Sequence, residues 1–219
     1  MTYTLTINID NQGLQQIANA GEFVTIVQSV TQYAQSTADG IAAVSTQIAV
    51  AWLSFSPFST NTVVCTNSYA IFATYGTPSI GTPITMNSQT LAAAQLGWTY
   101  TLRNGLFTPA KGSGTGYIIT NLQSSSSGSG MYFGLAAQAK VNNASQGWQP
   151  TNALFVPYNQ SGWLQPEQRI VIFVSTCPAN GTSIPLLGGT VIDFSNSRTA
   201  AVMFDDATST FVLIGDAVQ

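Results

Sequence analysis

The chain has 219 residues, long enough to bury one sizeable core, yet only 6% of them are charged against about 25% in an average soluble protein. Its net charge is −3, and Arg103, Lys111, Lys140, Arg169 and Arg198 are scattered along its length. That excludes a phosphate-neutralising patch for nucleic acid and a polybasic patch for anionic lipid. There is no histidine, so the commonest general base and the middle member of Ser-His-Asp and Cys-His sites are missing.

Thr2 to Ile9 alternates polar Thr or Asn with Tyr3, Leu5, Ile7 and Ile9, the period of a half-buried strand. With neither a basic start nor a long apolar run, this segment reads as an exposable edge strand and not as a signal peptide. Localisation is therefore open between the cytoplasm and a non-classical export route. Asp10 is placed to cap a short helix with Leu14, Ile17 and Ala18 on one face and Gly21 at its end. Glu22 to Val30 is β-rich, and Gln35 to Gly40 reads as loop.

Ile41 to Phe55 is the most apolar long region, but Ser45, Thr46 and Gln47 interrupt it and leave it short of a membrane-crossing helix. Its β-branched and aromatic content predicts a strand over about Thr46 to Phe55. Asn61 to Tyr75 predicts one strand, or two with a kink. Good helix formers from Leu91 to Leu96 predict a helical turn or two, ended by Gly97. Trp98 to Leu102 is a strand, and Asn104-Gly105 signals a hairpin turn because both residues accept positive φ.

The Gly112 to Gly116 run leads into a strand, so it reads as a connector and not a phosphate cradle. Tyr117 to Leu122 and Met131 to Val141 are strands around a Ser/Gly-rich loop, Gln123 to Gly130. That pairing resembles the hairpin that β-pore formers release into membranes, but Met131 to Lys140 supplies the apolar face only partly and an ordinary sandwich hairpin is the preferred reading. Arg169 to Thr176 encloses five consecutive apolar residues, which predicts a central strand covered on both faces. Thr190 to Phe194, Thr199 to Phe204 and Thr210 to Ile214 read as a three-strand meander, with Asp205-Asp206 in a turn. Glu167 and Arg169 are placed to form an ion pair, and Cys65 and Cys177 read as two buried thiols.

Together these elements predict a single all-β domain over 1–219, an antiparallel sandwich or jelly roll with about a dozen strands and one or two short helices. No cofactor or metal is expected, and no catalysis. Gly147 to Asn152 and Tyr158 to Trp163 place aromatics beside amides in apparent loops, a composition suited to neutral ligands such as sugars. The candidate ligand-binding residues are Trp148, Asn152, Tyr158, Asn159 and Trp163. Two functions follow as expectations: recognition of a glycan or cell surface, in the manner of a lectin or toxin, or self-assembly into a filament, shell or intracellular crystal. Low charge gives weak protection against self-association and motivates the second.

Overall fold

The computed structural model describes residues 2–35, 42–43, 48–123, 130–185 and 188–216. All but Gln35 of the loop read from Gln35 to Gly40, the start of the strand read at Thr46 and most of the Gln123 to Gly130 loop lie outside them. In chain order the elements are β1 (Thr2–Asn8), α1 (Asn11–Asn19), β2 (Phe23–Gln35), β3 (Ala42–Ala43), β4 (Ile48–Ala51), β5 (Leu53–Phe55) and β6 (Thr60–Thr74). Next come β7 (Ser88–Gln89), β8 (Trp98–Arg103), β9 (Leu106–Lys111), β10 (Tyr117–Asn121), β11 (Met131–Val141), β12 (Ala144–Pro150) and β13 (Asn152–Val156). The chain closes with β14 (Ser161–Ser175), β15 (Thr182–Ile184), β16 (Thr190–Asp193), β17 (Thr199–Asp205) and β18 (Thr210–Asp216).

Two sheets pack face to face, one of ten strands and one of eight, as the expected all-β sandwich. The first runs β15-β4-β13-β11-β6-β1-β17-β18, with β12 beside β11 and β7 beside β6. The second runs β3-β2-β14-β10-β8-β9, with β16 beside β14 and β5 beside β2. Most neighbours are antiparallel, but β1 with β17 and β10 with β8 run parallel. Between the sheets lie Leu5, Ile7, Ile26, Trp52, Leu53, Ile71, Phe133 and Ile172, all fully buried or nearly so.

The central strand forms as the apolar run demands. Ile170 and Ile172 of β14 enter the main core, while Phe173 on the other face joins Ala49, Ala51, Cys177 and Ile184 in a second, smaller cluster. Alternation along a strand requires both faces to be covered when every position is apolar, and here both are. Helix α1 is also as read: Asp10 accepts a hydrogen bond from the Gly13 amide at 2.8 Å, and Gly21 sits at φ +65° beyond its end. Asn104 and Gly105, at φ 51° and 75°, turn β8 into β9. Asp205 accepts from the Ala207 amide and the Thr208 hydroxyl, so it serves the β17–β18 turn.

Five expectations are corrected. β1 is not an edge, since β6 and β17 pair with it on either side. Its alternation reports one buried face, not how many neighbours it has. No helix forms at Leu91 to Leu96, because the Thr90, Ala94 and Gln95 amides donate instead to the Ile71 and Tyr69 carbonyls and the Tyr100 hydroxyl. β10 and β11 lie in different sheets, so Tyr117 to Val141 is not a hairpin and the pore-former likeness lapses. β16 pairs with β14, so only β17 and β18 of the supposed meander share a ladder. Finally, Gly147 to Pro150, expected in a loop, belongs to strand β12, because Asn142 and Asn143, at φ 50° and 68°, turn β11 tightly back on itself.

Candidate functional site

The five residues read as a ligand site do not form one patch. Trp148 stands on β12 opposite Gln138 in the first sheet, whereas Trp163 stands on β14 in the second. The Trp163 ring stacks on Tyr33 of β2, centroids 4.8 Å apart at 20°, and lies so close over Gly116 that a Cβ there would come within 2.6 Å of it. Tyr158 and Asn159 are exposed in the turn between β13 and β14, where Asn159 adopts φ 61° and its amide donates to the Asn121 carbonyl at 2.8 Å. Asn152 is 2% exposed, and its side chain is committed internally. Its oxygen accepts from the Leu135 amide at 2.8 Å and the Thr151 hydroxyl at 3.2 Å, and its nitrogen donates to Gln32 of the second sheet at 2.5 Å. Asn152 thus ties the two sheets together.

What the surface offers instead is a sheet edge. Of the four terminal strands, β3 and β15 have two and three residues, and β15 is wholly buried. β9 is longer but carries Pro109 and Lys111, which blunt an edge by removing a backbone donor and adding charge. β18 carries neither proline nor lysine, although Asp216 ends it and a bulge at Ile214, between the Leu213 and Gly215 pairings, interrupts its ladder with β17. Its Val212, Leu213 and Ile214 are each about half exposed, and Met203 of β17, in register with Val212, extends the apolar surface. On its outer side the Thr190 hydroxyl donates to the Phe211 carbonyl, and among the described residues no strand pairs there. The sequence signal was present in Phe211-Val-Leu-Ile214, a strand apolar at successive positions, but such runs ordinarily mark central strands.

Arg169 pairs with Asp193 at 3.1 Å and Glu167 at 3.7 Å, which bears out the expected ion pair and adds a second acid. Hydrogen bonds from Ser195, and then from Arg169, hold the exposed Asp193 carboxyl down at about 2. Cys65 and Cys177 are free and buried, and burial pushes the Cys65 thiol up to about 12, so it carries no thiolate at neutral pH.

The architecture is that of an all-β sandwich built from two mixed sheets. No protein-family model, curated protein or solved structure matches the chain. Among the described residues no helix is long and apolar enough to cross a membrane.

Proposed function

We propose that the protein is a non-catalytic, self-assembling structural subunit, and that its first contact is the pairing of β18 with β18 of a second copy. The observation that carries this reading is the apolar outer edge of β18, where no strand pairs among the described residues, while six-residue β9 is blunted by proline and lysine and seven-residue β12, paired only with β11, ends in Pro150. A symmetric two-fold contact sets the two edges antiparallel, the better-bonded arrangement, and brings Val212, Leu213 and Ile214 of one copy against the same residues of the other. Charge gives little opposition, since only 6% of residues carry any. Larger assemblies would then grow from dimers through the neutral, amide- and hydroxyl-rich faces.

Light scattering over a concentration series tests the reading. The mass should rise from the 23.1 kDa of one chain to at least twice that value as concentration increases. A mass that stays at one chain up to the highest soluble concentration overturns it.

A further inference from the structure

The two longest strands, β6 and β14, belong to opposite sheets, and each is broken once in the same way. In β6 the partners of Ala137 and Ala139 are Tyr69 and Cys65, so Thr66, Asn67 and Ser68 stand opposite the single residue Gln138. In β14 the partners of Val30 and Gln28 are Pro166 and Ile170, so Glu167, Gln168 and Arg169 stand opposite Ser29. Both bulges line one cleft that enters the sandwich from its side. Bulges re-aim backbone and open sheets locally, which is why they gather at binding sites.

At the bottom of this cleft the core contains a polar pair. Gln28 is 9% exposed and projects from the inner face of β2, where its Nε2 donates to the hydroxyl of Tyr69 across the sandwich. Its Oε1 is buried and meets no hydrogen-bond partner among the described residues. Turning the amide over does not cure this: Oε1 would then accept from the phenol, and the amide N–H groups would be the ones left over. An orphaned polar atom at this depth is costly unless something outside the chain completes it. Burial raises the Tyr69 pKa above its usual range, so the phenol keeps its proton at any physiological pH.

The space beside this pair is about 20 Å³, room for one hydroxyl-sized group. Outside it, the same Glu167, Gln168 and Arg169 border an open groove of about 510 Å³ that also includes Gln165, Asp193 and Ser195. That groove supplies amides, a hydroxyl and carboxylates already paired with Arg169, a lining with hydrogen bonds to give and little charge to neutralise.

We propose that the cleft binds a neutral polyhydroxylated ligand, a sugar, seating one hydroxyl beside the Gln28–Tyr69 pair and resting its ring on the groove around Glu167 to Arg169. A hydroxyl both donates and accepts, so it satisfies Oε1 and the phenol together, or the turned amide alone. An ammonium donates only and would leave the phenol proton unmet, at the added cost of burying a charge. Trp52, whose indole donates to the Ala137 carbonyl at 3.2 Å, is fixed in the cleft wall beside the seat. This site is distinct from the β18 edge and stands or falls without it.

Saturation-transfer NMR on the full chain tests the proposal, with methyl glycosides of glucose, galactose, mannose and N-acetylglucosamine as probes and methylammonium as the cationic control. At least one glycoside should receive saturation. Tyr69→Phe should weaken its binding by about tenfold. Asn67→Trp, a change at an exposed bulge position that leaves the core untouched, should close the mouth and abolish the signal. Absence of transfer to every glycoside, as expected of a throat that holds only ordered water, overturns the proposal. So does transfer to methylammonium alone, or a glycoside signal that survives Asn67→Trp unchanged.

Discussion

A chain carrying both Val212→Lys and Leu213→Lys should remain a single chain at concentrations where the unaltered protein associates. The two positions lie on the outer strand of the first sheet and are about half exposed, so the fold loses little: about 1 kcal/mol or less is expected in denaturant unfolding. Association should lose far more. Each substitution removes apolar area that a second copy would cover, worth about 1–2 kcal/mol per side chain, and the two-fold sets the introduced charges against one another. The combined effect is a weakening of about 100-fold or greater, read as the mass recorded by light scattering. A parallel change at an outer position of β9, Thr108→Lys, should leave association as it was, since that strand already carries Pro109 and Lys111.

The second large effect is expected at Asn152, where the sequence pointed to a ligand. Asn152→Ala should cost about 3 kcal/mol of stability, seen as a lower denaturation midpoint with an unchanged slope. The substitution strands the buried Leu135 amide and takes away the donor that the half-buried Gln32 oxygen accepts from across the sandwich, leaving Gln32 only its bond to the Ala153 carbonyl. Solution mass at equal folded fraction should not move. Loss of association without loss of stability would instead place Asn152 in a contact surface and contradict its burial.

What could be read from the sequence was whatever local chemistry decides. Asp10 caps a helix because its carboxylate reaches the Gly13 amide three residues on, and Asn104-Gly105 turns because both accept positive φ. The five-residue apolar run of β14 announced a strand covered twice, since alternation leaves no solvent face for it. Strand partnership was not legible. The alternation in β1 is the same for an edge as for a strand flanked on both sides, and only the parallel return of β17 decides between them. Likewise β16, β17 and β18 are three short strands with turns between them, and nothing local says that the first crosses to the other sheet.

The candidate site was obscured for the same reason. Trp148, Asn152 and Trp163 are neighbours along the chain, but the Asn142-Asn143 turn and the crossing from β13 to β14 send the two tryptophans to different sheets and the asparagine into the core. Gln28 gave no signal at all. A lone amide in a β-rich run reads as a solvent-facing position, and its burial is set by Tyr69 on a strand of the opposite sheet. The paired bulges are features of register, and register is fixed by partners far away in sequence.

The pairing of β18 with its copy is tested most directly by amide hydrogen exchange followed residue by residue across a concentration series. Outward-pointing amides within Phe211 to Ile214 should exchange quickly in dilute solution and become protected as the mass rises, while the outward amides of β9 keep the same rate throughout. Exchange in β18 that is indifferent to concentration while the mass still climbs would contradict the edge pairing and move the contact to another face.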